Sequence, residues 1–271
     1  GNGRHDDFGI RNTGTGFPDF TDMGVYEFQQ NSSLNGEYTI GVAGDFTSFT
    51  ETVDSLMSLG ISDSVVFNID PGTYNEQVVI PEIAGASDST RITFQGATGD
   101  STDVVLTFSA SLPEKNYTLK LDSADYIILK DMSIQANGNP YGRVMHVTGG
   151  TNYNRFLSNR FIGKENTSEL VYKDDNPATR DTAVVFNNNS FINGGNAVHW
   201  VVANSFTFSN NILYQQTDTA FFMKYGYGVN IQNNLIYSNS LTTGIELTNT
   251  RVGCSLTQNQ VYLPGGGNGM R

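Results

Sequence analysis

The chain has 271 residues, a formal net charge of −12, only 15% charged residues and 29 glycines. The acidic balance argues against a general affinity for nucleic acid, and no apolar run reaches the roughly 18 residues that a membrane-spanning helix needs. One cysteine, Cys254, leaves no intrachain disulfide and no cysteine-rich metal site; between Gly253 and Ser255 it reads as a small buried residue in a strand.

Residues 1–36 hold clusters of Gly, Asn, Asp and Thr around one apolar island, Met23–Phe28, and read as an irregular lead-in. His5, Asp6 and Asp7 lie at a terminus, so a loose end is the simpler reading of them than a metal site. Residues 37–271 read as one solenoid. A strand is expected at Tyr38–Val42. Ser48 with Glu51 forms a capping box, Phe49, Val53, Leu56 and Met57 recur at helical spacing, and Gly60 stops the helix. This helix, about 48–59, is expected to cover the open end of the sheets, whose unpaired edges would otherwise invite association. Strands follow at Val65–Ile69, Glu76–Ile80, Arg91–Gln95 and Val104–Phe108, with a turn at Asp70–Thr73.

The segment Gly44-Asp-Phe-Thr-Ser-Phe49, then Phe67-Asn-Ile-Asp-Pro-Gly-Thr-Tyr-Asn-Glu76, then Ile92-Thr-Phe-Gln-Gly96, resembles the opening of pectin methylesterases. The resemblance covers about residues 38–108 and implies a right-handed parallel β-helix of the pectate-lyase type. The strings carrying that family's catalytic pair of aspartates and its arginine, Gln-Asp-Thr-Leu, Asp-Phe-Ile-Phe-Gly and Leu-Gly-Arg-Pro-Trp, are absent; Thr217-Asp-Thr219 is only a faint echo of the first. The activity is therefore not carried over. Farther upstream, Asp22-Met-Gly-Val-Tyr-Glu27 resembles an ending common in bacterial β-helix repeat proteins, which would make residues 1–30 the tail of a preceding domain.

Beyond residue 108 a motif repeats: Phe156-Leu-Ser-Asn-Arg-Phe-Ile162, Phe186-Asn-Asn-Asn-Ser-Phe-Ile192, Phe208-Ser-Asn-Asn-Ile-Leu-Tyr214 and Ile231-Gln-Asn-Asn-Leu-Ile-Tyr237. Its fixed polar residue falls at Asp131, Asn159, Asn189, Asn211, Asn234 and Asn259, a period in the twenties that marks a stacked solenoid. The Leu-x-x-Leu-x-Leu spacing of leucine-rich repeats is missing. An all-β, single-stranded parallel β-helix with an internal Asn ladder is the expected fold, each Asn tolerating a left-handed turn and bonding to the coils above and below. Phe156, Phe161, Phe186, Phe191, Ile231 and Ile236 are expected to stack inside.

Measured from the ladder, each coil's first strand presents one outward side chain: Lys120, His146, Lys173, His199, Lys224 and Glu246. The row holds two of the chain's three histidines. A mostly basic strip on an acidic protein would suit a linear anionic polysaccharide, with Trp200, Tyr225 and Tyr227 as candidate ring-stacking surfaces, Trp200 fitting a core position better. A merely solvated face is the competing reading. The long loop Gly163–Asp181 adjoins the row. If the chain were a uronate lyase, Lys173 or His146 would be the base, Arg180 the carboxylate contact, and Asp174 with Asp175 the nearest pair for Ca²⁺.

The reading that follows is an extracellular or surface-displayed, adhesin-type β-helix segment that binds polysaccharide without a cofactor. It would be monomeric within a longer chain, its C-terminal end lacking a lid. A polysaccharide lyase and a passive stalk are the alternatives.

Overall fold

Each coil of the chain donates one short strand to each of three parallel sheets and then rises to begin the next. The computed structural model describes residues 32–165, 169–174, 176 and 178–271; the readings at His5, Asp6, Asp7, Met23–Phe28 and Asp175 fall outside them. The first sheet runs from Val78–Pro81 through Leu119–Asp122, Met145–Thr148, Val171–Lys173, Val198–Asn204, Thr219–Tyr227 and Thr243–Thr248 to Asn268–Met270. A nine-stranded second sheet runs from Leu34–Ile40 to Ser255–Thr257, and an eight-stranded third from Gly72–Asn75 to Gln260–Tyr262. The chain is thus an all-β solenoid of about nine turns.

Parallel pairing places like residues above like, about 4.8 Å apart. Phe156 and Phe186 stack at 4.4 Å between centroids, Phe161 and Phe191 at 4.9 Å, and all four are fully buried. Complete burial of one such ring is worth about 1.5–3 kcal/mol, so the files of Phe and Ile are the main apolar stabilisation of the tube. Ile231 and Ile236 continue these files.

The helix forms at Phe49–Leu59. Ser48 accepts from the Glu51 amide at 3.1 Å, while the Glu51 carboxylate reaches back to the Thr47 amide at 2.7 Å. Glu76 of the first coil accepts from the Phe49 and Thr50 amides, so the helix start is fastened to the sheets it covers. Phe49, Val53 and Leu56 are buried, but Met57 is 60% exposed and lies off the apolar stripe. The first strand starts at Leu34, ahead of the expected Tyr38. Cys254 is half-buried and free, its Sγ 3.8 Å from the Gly226 carbonyl.

The internal ladder comprises Asn159, Asn189, Asn211, Asn234 and Asn259. Asn189 shows the pattern: Oδ1 accepts from the Asn159 amide at 2.9 Å, and Nδ2 donates to the Phe156 carbonyl at 2.8 Å and to Asn211 Oδ1 at 3.0 Å. Asp131 is not a rung. Leu157 pairs with Lys130, so Asp131 sits opposite Ser158, and Met132 takes the rung position with its amide donating to Asn159 Oδ1. The left-handed residue is also not the ladder Asn but the one before it: Ser158, Asn188, Asn210, Asn233 and Gln258 have φ near +55 to +59°. Asp131, with φ of +54°, belongs to that file, where its carboxylate meets Lys130 at 3.2 Å.

Asn189→Ala strips partners from the buried Asn159 amide and Phe156 carbonyl. At about 1–3 kcal/mol for each stranded group, denaturant unfolding should show a loss of roughly 2–6 kcal/mol.

Candidate functional site: a groove across the first turn of the coil

The outward row of the first sheet is confirmed in register at Lys120, His146, His199 and Glu246, but not at Lys173 or Lys224. The aligned residues are Lys120, His146, Tyr172, His199, Phe222 and Glu246. Lys173 pairs with Val147, faces inward and is fully buried; its Nζ is held by Asp174 Oδ1 at 2.6 Å and Thr179 Oγ1 at 3.0 Å. That pairing is what lets an ammonium occupy an interior position. Lys224 points outward but in the next row, level with Val201 and Thr248. The apolar run Phe221-Phe222-Met223 conceals the alternation there. Strand Val171–Lys173 also divides the expected loop Gly163–Asp181 into two shorter connections.

The row is therefore aromatic rather than basic. His146 packs on Tyr172 at 5.5 Å, Tyr172 on His199 at 5.2 Å, and His199 on Phe222 at 4.6 Å. The Arg143 guanidinium covers Tyr172 at 3.8 Å and donates to Glu169 at 3.0 Å. Burial, with Arg143 and Lys120 nearby, pushes the His146 imidazole down to about 4, so it is neutral at pH 7. Lys120 donates to Asp122 at 2.9 Å, and this bond is the largest influence holding the Asp122 carboxyl below its usual range.

Open surface lies farther along the same strands. Past Val201 and Lys224 the chain kinks at Val202 and Tyr225, whose φ values are +64° and +59°. A β-branched residue in the left-handed region is strained, and here it coincides with a groove. The groove has a volume of about 440 Å³ and is lined by Arg180, Val202, Asn204, Tyr225, Tyr227 and Arg251. Tyr225 is 43% and Tyr227 52% exposed, and the Lys224 ammonium lies 5.0 Å from the Tyr225 ring centre. Among the described residues neither Arg180 nor Arg251 forms an ion pair. The two belong to coils three apart, a spacing of about 14 Å along the axis.

Of the residues that line the groove, Arg180, Tyr225 and Tyr227 are singled out by the sequence; Val202, Asn204 and Arg251 are not. Arg251 follows the last expected first strand in the same turn of the coil as Arg180, and that repeat position was the available signal. Nothing in the residue type of Val202 announces a kink. A second depression, of about 460 Å³, lies at the ladder corner beside Asp100, Asp131, Arg160 and Asn188, and no aromatic ring lines it.

Beneath the groove lies a buried carboxylate. Asp181 Oδ1 accepts from the Thr151 amide at 2.7 Å and hydroxyl at 3.0 Å, whereas Oδ2 has no hydrogen-bond partner among the described residues. Burial pushes this carboxyl up to about 7, against the opposing pull of Thr151, Lys173 and Trp200. Among the described residues no cluster of three His, Cys, Asp or Glu side chains could hold a metal, and no helix is long and apolar enough to cross a membrane.

Comparison with known proteins agrees with this architecture. No protein-family model and no curated protein matches the chain. Among solved structures, the deglycosylated pectin methylesterase from Aspergillus niger matches with a TM-score of 0.56 at 15% identity, over 88% of this chain and 87% of its own. Pectin methylesterase PemA from Erwinia chrysanthemi gives 0.53 at 12%, over 84% and 81%. A pectin methylesterase in complex with a hexasaccharide gives 0.50 at 12%, over 74% and 66%. The chain has the right-handed parallel β-helix fold of the pectate-lyase type. At such identities the likeness is one of fold.

Two titrations should oppose each other. Between pH 4 and 6.5 the unfolded chain holds a proton on His146 that the native protein lacks, so this residue makes stability rise with pH. Between pH 3.8 and about 7 the native protein holds a proton on Asp181 that the unfolded chain lacks, so this residue makes stability fall with pH. In thermal melts across pH 4–6.5, His146→Gln should tilt the profile downward with pH relative to wild type, and Asp181→Asn should tilt it upward.

Proposed function

We propose that the chain is a polysaccharide-binding β-helix, extracellular or displayed at a cell surface in the manner of an adhesin, whose groove takes an extended anionic glycan. The observation that carries this reading is the pairing, in one open groove, of two arginines that form no ion pair among the described residues with two exposed tyrosine rings. Guanidinium groups suit uronate or sulfate, and phenol rings suit the apolar face of a pyranose. On a protein of net charge −12, a local pair of arginines also gives an anionic chain a defined landing place. The hexasaccharide complex of one structural neighbour supports an oligosaccharide as the type of ligand. The outward row at Lys120, His146, His199 and Glu246 flanks the groove on the same sheet and provides further contact for a long glycan; Lys224 stands beside Tyr225 at the margin.

Binding is favoured over catalysis because, among the described residues, no carboxylate lines the groove. Of the two expected bases of a lyase, Lys173 has no exposure and is already bonded to Asp174 and Thr179, and His146 is packed on Tyr172 in the aromatic row rather than lining the groove. Arg180 lines the groove, and in this reading it is the residue that meets a glycan carboxylate.

A glycan array with oligogalacturonates and sulfated oligosaccharides, read beside an ultraviolet assay for unsaturated uronate, tests this. Binding without absorbance is the expected result; absorbance would make the chain a lyase, and silence in both a passive stalk. Tyr225→Ala with Tyr227→Ala should weaken oligogalacturonate binding about tenfold in calorimetry, since each stacking contact is worth about 0.5–1.5 kcal/mol. Arg251→Gln should weaken binding and reduce its salt dependence.

A further inference from the structure

The connection that delivers Arg180 to the groove is fastened at its base from inside the tube. Lys173 Nζ bonds Asp174 Oδ1 and Thr179 Oγ1, joining the two ends of the connection. Immediately after Arg180, Asp181 sends its side chain inward to Thr151 on the preceding coil. Its backbone pairs with Ala203 on the following coil, between the groove residues Val202 and Asn204. Arg180 is exposed, yet both neighbours in sequence are anchored: Thr179 by Lys173, and Asp181 by two coils.

The groups that face the Asp181 carboxylate are Thr151 from the coil below, Lys173 from the strand before the connection, and Trp200 from the coil above. Trp200 is 1% exposed, and its Nε1 closes no hydrogen bond although it lies beside a carboxylate whose Oδ2 is also unpartnered. His199 and Tyr172 stand on the opposite, outward face of the same sheet. Among the described residues Lys173 is thus the cation that acts on both carboxylates, ion-paired to Asp174 and drawing on Asp181 through its charge without an ion pair to it. An ionised Asp181 competes for it, loosening the hold on Asp174 and Thr179, and adds a negative charge directly behind Arg180. Both effects oppose binding of an anion.

We propose that Lys173 and Asp181 form a buried clasp that positions Arg180, and that proton loss from Asp181 weakens the groove's grip on an anionic glycan. The proposal rests on the groove reading above. Asp181 is a positioning residue, acting through Arg180 rather than touching the glycan. The assignment of the carboxyl to the neutral form near pH 6 agrees with the burial that pushes it up to about 7.

Trp200 is the chain's one tryptophan, so its fluorescence reports on the clasp with no ligand present. Wild type should show an emission transition centred near pH 7 that is missing from Asp181→Asn. Affinity for oligogalacturonate should fall about fivefold or more between pH 6 and pH 8 in wild type and stay flat in Asp181→Asn. Thr179→Val, which removes one of the two Lys173 bonds, should lower affinity at pH 6 while leaving the fluorescence transition in place. An Asp181→Asn protein with the wild-type pH dependence of affinity, or a wild type without the fluorescence transition, overturns the proposal alone. A wild type that shows the transition but binds no oligogalacturonate at any pH overturns the groove reading, and the proposal through its premise.

Discussion

The hydrogen bond from one coil to the next is the constraint on which the rest of this structure depends. Because every strand pairs in parallel with its equivalents above and below, each side chain meets the corresponding side chain of its neighbours. A coil therefore cannot choose its residues alone. Phenylalanine above phenylalanine stacks, and asparagine above asparagine forms a column in which each amide both donates and accepts. The same rule acts outside the tube, where His146, Tyr172, His199 and Phe222 stack into a ribbon. Inside and outside obey one geometry, and only their contact with water differs.

That rule explains which parts of the chain could be read from sequence. The solenoid and its apolar files depend on a pattern that recurs every coil, so each repeat corrects errors in the others, while the capping helix carries its own local start and stop at Ser48, Glu51 and Gly60. The site depends on single departures from the pattern. Lys173 looked outward because an ammonium inside a β-helix is costly, and the partners that make it tolerable, Asp174 and Thr179, lie in a connection with no repeat to align. Lys224 was displaced by two residues because Phe221, Phe222 and Met223 are all apolar and hide the alternation that marks register. Asp131 failed as a rung for a related reason: one position of slip exchanged it with Met132, and only the observed pairing of Lys130 with Leu157 settles which is which.

The groove arises where the ladder is bent without being broken. Val202 and Tyr225 adopt left-handed conformations one above the other, so the kink is repeated between adjacent coils and the pairing resumes at Ala203 with Gly226. Strain of this kind persists only where surrounding structure enforces it, here the paired strands on both sides. The result is a turn that carries side chains away from the crowded ribbon and leaves Tyr225 and Tyr227 open. Pectin methylesterases share the scaffold, but the strings that bear their catalytic residues are absent from this chain, and the groove is lined by arginine, asparagine and tyrosine instead.

Buried charge and open groove are linked through this geometry. A carboxylate that cannot reach water must be neutral or paired, and Asp181 has Thr151 on one oxygen and nothing bonded to the other. Were its role only to tie two coils together, an asparagine would accept the same two Thr151 bonds with no ionisable group to bury. An acid at this position leaves the interior sensitive to proton activity beside Arg180, one of the residues that line the groove. Since ligand and proton act on the same few side chains, linkage requires each to alter the affinity for the other. Under the proposed reading, an anionic glycan bound at Arg180 would raise the proton affinity of Asp181, and the fluorescence of Trp200 is placed to register it.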